Sequence, residues 1–364
     1  KKPDSAMYQP IFISHPDNIG PVWERVFREP FARVKTKTVK GFTFVLSNWR
    51  GPTSADRAYA KVYGTKEFVA EHGAELPKDR IFFHVQHQHP SGTIFENWGW
   101  GHDGGELKKA YGKRPNLVCF SGHSHTSLTD ERGVWQGEFT SVNAGSLRYA
   151  SHDYSLRSNM RGNSCGYRSP KGFLPPTEPR LGTGDEHQGM LMTVTDEAIR
   201  FERRSFGDTV DPLGDDWVLP LPAAESRPFA YASQAAKRRA PEFPKGAAVK
   251  AEIVPAEPDA EKQGVAPGPY VKLSFPAAED RDGCRVFEYE ATAQLLADDV
   301  DLVLVQRRSL AHDFHRPVTK RVTADGCRFA LSELPAESYV RFIVRPVECF
   351  GKKGAPIQSD ILKT

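Results

Sequence analysis

Short apolar runs alternate with amphipathic ones along the first half of the chain. Residues Phe42 to Trp49 form an apolar run that turns polar at its end, as a buried strand does. Ser54 opens and Gly73 closes a stretch with helical character. A second apolar run, Ile81 to His87, passes into Gln88-His89-Pro90, where proline cannot continue a central strand. Gly104 to Lys113 reads as a short helix. Asn116 to Phe120 reads as a third strand and runs directly into Ser121-Gly122-His123-Ser124-His125. Phe139 to Asn143, Gly189 to Thr195 and Ala198 to Arg204 are further strand-like runs. This order predicts an α/β class for residues 1–205, with polar residues gathered at strand ends, where such sheets place their chemistry.

The pattern then changes twice. Ser151 to Glu186 is rich in proline and glycine and has no apolar periodicity, which predicts a functional or solvated loop. Arg157, Arg161, Arg168, Arg180 and Tyr167 within it suit contact with phosphate. Residues 206–246, rich in proline and alanine, read as a wrapping linker. From 247 to 364 short alternating runs dominate: Val249 to Val254, Tyr270 to Phe275, Val286 to Gln294, Leu302 to Gln306, Cys327 to Leu331, Tyr339 to Val347 and Ile357 to Leu362. Strands at this spacing predict an all-β sandwich.

Charge and composition narrow the function classes. Lysine plus arginine exceed aspartate plus glutamate by 49 − 46 = 3, too even a balance for charge-driven nucleic-acid binding. No apolar window is long enough to predict a membrane span. The five cysteines have no C-x-x-C spacing, so neither a disulfide framework nor a zinc knuckle is indicated. Of the twelve histidines, seven (His72, His84, His87, His89, His102, His123 and His125) fall between positions 72 and 125. Neutral imidazole is the commonest transition-metal ligand, so the cluster points to a metal site. His84 lies mid-strand and is expected to pack inward.

Gly122-His123-Ser124-His125 after one strand, with His87-Gln88-His89-Pro90 after another, resembles the calcineurin-like metallophosphoesterases. The resemblance spans roughly residues 40 to 205. It implies the second half of that family's α/β sandwich, with metal ligands at His87, His123 and His125. His89 competes for the place of His87. It further implies two divalent metal ions (zinc, manganese or iron), a phosphoester substrate, and hydrolysis by a metal-activated water. Arg148, Tyr149, His102 and Asp103 are the expected substrate contacts. The family's D-x-H and G-D-x-x-D motifs have no counterpart upstream of these histidine segments, where the family places them. The resemblance therefore implies an N-terminal half of the same protein as partner, holding the catalytic residues. Leu334-Pro335-Ala336-Glu337-Ser338-Tyr339, the strand after it and Phe350-Gly351 resemble the end of a fibronectin type III domain, with Tyr339 as the corner tyrosine. An accessory domain of that kind is similar to those of exported bacterial enzymes, so a periplasmic or secreted location is expected. The alternative reading is a non-catalytic binding or structural module that retains a remnant of the phosphoesterase fold.

Overall fold

The computed structural model describes residues 16–48, 64–95, 103–147, 150, 168–169, 172–173, 187–223, 225–256, 268–297 and 300–364. The chain forms two compact units that do not follow single cuts in the sequence. Unit one comprises Lys1–Ser124, Val134–Ala144 and Pro220–Ala230; unit two comprises His125–Gly133, Gly145–Leu219 and Tyr231–Thr364.

Unit one contains helix α1 (Pro16–Phe27) and a six-stranded sheet in the order β1-β2-β3-β4-β6-β5. Its strands are β1 (Val34–Val39), β2 (Phe42–Ser47), β3 (Phe82–Gln86), β4 (Leu117–Ser121), β5 (Val134–Gln136) and β6 (Thr140–Asn143). The β2–β3, β3–β4 and β4–β6 pairs are parallel; the outer pairs β1–β2 and β5–β6 are antiparallel. Strand alternation sends Phe82, His84 and Gln86 to one side of β3 and Phe83 to the other. Phe82, Val45, Leu117, Cys119 and Phe139 pack with Phe68 and Val69 of α2 (Thr65–His72) and with Leu107, Ala110 and Tyr111 of α3 (Glu106–Tyr111). Across the strand, Phe83 stacks on Phe44 with ring centroids 4.7 Å apart. His84 is fully buried, and its Nδ1 lies 3.1 Å from the Tyr111 hydroxyl. Burial lowers its pKa to about 3, so the ring is neutral.

Carboxylates meet the first amides of both helices. The first amide of α2, free of an intrahelical partner, is met from the next helix: Thr65 N donates to Glu106 Oε1 at 2.6 Å. Asp103 does the same for α3, accepting from Gly105 N at 2.8 Å and Leu107 N at 3.0 Å.

Unit two contains a two-residue hairpin, β7 (Arg168–Ser169) with β8 (Gly172–Phe173), and a four-stranded sheet. That sheet is built around β10 (Ala198–Phe206), which pairs with β9 (Gln188–Val194), β11 (Val210–Pro212) and β12 (Trp217–Pro220). Helix α4 (Tyr231–Lys237) follows. The rest is a β-sandwich. One sheet is β13 (Lys250–Val254), β14 (Tyr270–Pro276) and β17 (Ala324–Ala330). The other is β16 (Val300–Leu310), β15 (Val286–Ala297), β18 (Tyr339–Glu348) and β19 (Ile357–Gln358), with β20 (Leu362–Lys363) also on β18. Alternate residues of the facing strands fill the core: Val271, Leu273 and Phe275 from β14, Tyr289, Ala291 and Ala293 from β15, Phe329 from β17, and Val340, Phe342 and Val344 from β18. Tyr339 is 56% exposed at the start of β18 and does not occupy a buried corner.

A buried ionic cluster lies in the same unit. Arg203 on β10 is 1% exposed. Its Nη1 donates to Leu128 O and Glu131 Oε1, each at 2.8 Å, and its Nε donates to Asp215 O at 2.8 Å. The guanidinium lies 4.5 Å from the Trp217 ring, whose Nε1 donates to the other Glu131 oxygen at 2.8 Å. Arg285, also buried, donates to the carbonyls of Asp313, Phe314 and Leu213.

Two sequence readings are corrected here. The chain does not open with an α/β sandwich: among the described residues strand accounts for 42% and helix for 14%, with four helices. The local reason is visible between β4 and β6. An α/β unit carries a crossover helix there, whereas this chain runs through a 3-10 turn at Glu131–Gly133 and then β5. The stretch 206–246 is also not a linker, since it carries β11, β12 and α4 and buries Leu213, Trp217 and Leu219. No helix among the described residues is long and apolar enough to cross a membrane.

Candidate functional site

The parallel pairing of β3 with β4 runs to Gln86 opposite Ser121, so both strands end at the same level. Each is followed at once by histidine-bearing chain. Gly122 N donates to His87 O at 3.0 Å and ties the two strand ends together. His87 Nε2 and His123 Nδ1 lie 3.0 Å apart, with ring centroids 4.8 Å apart and planes at 64°. Desolvation holds the His87 imidazole below its ordinary pKa, which favours the neutral form that both metal binding and an N–H···N bond require.

The backbone in this loop is unusual for its residue types. His123 has φ 57° and His125 has φ 53°, left-handed values that side chains other than glycine seldom adopt. Each costs on the order of 1 kcal/mol or more, and such strain concentrates at functional sites. Ser124 N donates to Gly122 O at 2.6 Å, and Ser124 Oγ donates to Asn143 Oδ1 at 3.4 Å at the end of β6. The loop is thus held from the next parallel strand.

The other expected residues fall elsewhere. His89 is fully buried, so of the two competing histidines it is His87 that reaches His123. His125 belongs to unit two, where its Nδ1 lies 3.3 Å from Ser146 Oγ. Asp103, expected to contact substrate, is fully buried. Its Oδ1 accepts from Ser91 N and Gly105 N, and its Oδ2 from Leu107 N and Gln86 Nε2. With both oxygens engaged as a helix cap, it is a positioning residue for the loop after β3 and not a substrate contact. His102, Arg148 and Tyr149 lie outside the described residues, as does the loop 151–186 apart from β7 and β8.

Two metal–nitrogen bonds of about 2.0–2.1 Å place the nitrogens about 2.9 Å apart in cis octahedral geometry and about 3.3 Å apart in tetrahedral geometry. The observed 3.0 Å falls in that range. The pair therefore fits two ligand positions of one divalent ion. No carboxylate joins it among the described residues, so a two-metal centre is not assembled from them. Among those residues, three metal-capable side chains come together at one other place in unit two: Cys284, Glu348 and Cys349. Sequence reading missed this group because Cys284 lies more than sixty positions from Glu348 and Cys349 and no motif joins them.

No family model matches the chain, and no curated protein does. Among solved structures, a crystal structure of domains A168-A170 from titin is returned at 11% identity, covering 62% of this chain and 69% of that chain. Its TM-score is 0.23, too low to bear on fold or function.

Proposed function

We propose that this protein is a metal-dependent phosphoesterase of the calcineurin-like group, with His87 and His123 as ligands of a shared divalent ion. The observation that carries the reading is the 3.0 Å convergence of His87 Nε2 and His123 Nδ1 at the ends of two parallel strands. A bound divalent ion supplies charge to polarise a phosphoryl oxygen and lowers the pKa of bound water. The chain's own contribution is positional. The Gly122–His87 bond fixes the spacing of the loops, and the neutral state of His87 leaves its lone pair usable at neutral pH. Asp103 anchors the segment that follows β3. Carboxylate ligands, if two ions are held, would come from outside the described residues. Export to the periplasm or medium belongs to the same proposal.

The test is metal uptake and hydrolysis measured together. The chelator-treated protein is titrated with zinc and with manganese, its metal content is read by mass spectrometry, and turnover is assayed on 4-nitrophenyl phosphate and bis(4-nitrophenyl) phosphate. Stoichiometric uptake that is lost with turnover in His123→Ala is the expected result. A His123→Ala protein that keeps its metal and its turnover removes the site.

A second reading, a non-catalytic binding or structural module, is favoured by the same distance. Two neutral imidazoles 3.0 Å apart also make a good N–H···N hydrogen bond. Under that reading no metal is taken up, and His123→Ala changes stability alone.

A further inference from the structure

Cys284 lies two residues before β15, and Cys349 directly follows β18. The two strands are hydrogen-bonded neighbours, with Val286 opposite Glu348. Both thiols therefore emerge at the same end of adjacent strands. Their sulfurs are 3.2 Å apart and both side chains are buried, at 4% and 5% exposure. That separation is shorter than the roughly 3.5–4.0 Å of ordinary non-bonded carbon contacts. We propose that Cys284 and Cys349 are a cystine site, joined as a disulfide when the protein folds in an oxidising environment.

The competing occupant is a metal ion, since Glu348 completes a three-donor group. The surroundings disfavour it. Glu348 Oε1 accepts from Lys352 N at 2.7 Å, and its Oε2 accepts from Phe350 N at 2.7 Å and from Cys284 Sγ at 3.4 Å, so the carboxylate is anchored by the turn after β18. The guanidiniums of Arg132 and Arg238 are matched by carboxylates of their own, Arg132 with Asp130 Oδ2 at 2.6 Å and Arg238 with Glu131 Oε2 at 3.7 Å. A dication would need both buried thiols ionised, whereas a disulfide is uncharged and removes two protons from a buried site. Burial also pushes the Cys349 thiol well above its ordinary pKa, so the folded protein holds little thiolate there. Bond formation thus belongs to folding, before the sulfurs are covered.

The chemistry balances with a small-molecule disulfide as oxidant. A thiolate from one cysteine attacks the oxidant and releases one thiol. The second cysteine, deprotonated, attacks the mixed disulfide and releases the other. One sulfur–sulfur bond forms within the chain as one breaks in the oxidant. Two electrons pass to the oxidant, and the two protons end on its thiols.

The full chain is refolded with oxidised glutathione, alkylated under denaturing, non-reducing conditions, and mapped as proteolytic peptides. The expected result is that three of the five cysteines alkylate. The Cys284 and Cys349 peptides should run as one species about 2 Da below their sum and separate on reduction. Alkylation of both cysteines, or pairing of either with another cysteine, overturns the proposal. So does stoichiometric zinc in the native protein that is lost in Cys349→Ser. Because the mapping is done on the unaltered chain, the result does not depend on whether a cysteine variant folds.

Discussion

Arg203→Met tests whether the second unit rests on a buried ion pair. Methionine keeps an unbranched side chain in the packed space but removes every donor. The substitution strips Leu128 O and Asp215 O of a partner and leaves Glu131 buried with one oxygen facing an apolar group. Removing one member of a buried pair costs about 3–5 kcal/mol, because the charge left behind is desolvated and uncompensated. The loss should fall toward the lower end. Trp217 Nε1 still donates to Glu131 Oε2 at 2.8 Å, and an Arg238 nitrogen lies 3.7 Å from that oxygen. Glu131→Gln keeps the shape and removes the charge, and Arg203 retains its carbonyl acceptors; about 1.5–3 kcal/mol is expected. The double substitution should cost less than the two single losses added, by roughly 1–3 kcal/mol, since the second change removes the charge that the first exposed. Urea unfolding followed by circular dichroism measures all three variants, and only the transition belonging to unit two should move. Additive losses, or a loss below about 1 kcal/mol for Arg203→Met, would refute the argument that the pair is energetically coupled.

Three further outcomes are expected. His84 is held neutral with a pKa of about 3, below its ordinary value of 6.5, so its contribution to stability is complete above pH 6.5 and is lost as pH falls toward 3. At pH 5 the loss is about 2 kcal/mol; acid unfolding of unit one measures it, and His84→Leu should flatten that limb. Asp325 behaves oppositely: burial raises its carboxyl to about 7, so the stability tied to its protonated form is present at low pH and lost as pH rises through 7. Asp325→Asn should remove that slope from the sandwich transition, and an unchanged slope would show that the group is ionised throughout. Asp103→Ala should destabilise unit one by about 1–3 kcal/mol through the lost cap of α3, read as a lower thermal midpoint, while an unchanged midpoint would mean that water replaces the carboxylate.

The sequence by itself was enough to place the strand ends that matter. Apolar runs that stop at polar residues are local signals, and β3 and β4 begin and end within a residue or two of where the pattern puts them. The pairing of their ends, and hence the meeting of His87 with His123, follows from parallel register, which no single segment carries. Choosing His87 over His89 needed the structure as well. Both side chains face the same way in a simple alternation, and only the bend at His87 and Gln88 buries one and leaves the other at the site. The class of the fold could not be read from alternation alone. A helix between parallel strands and a turn with a short strand occupy similar lengths of chain, and the choice between β5 and a crossover helix is made by packing. Helix α4 and strands β11 and β12 were hidden because proline and alanine mask the burial of Trp217 and Leu219, which is decided by neighbours distant in sequence. The Arg203–Glu131 pair and the Cys284–Cys349 contact are of the same kind. Such contacts depend on two residues meeting across a folded sheet, so their chemistry exists only once tertiary structure has removed both from water.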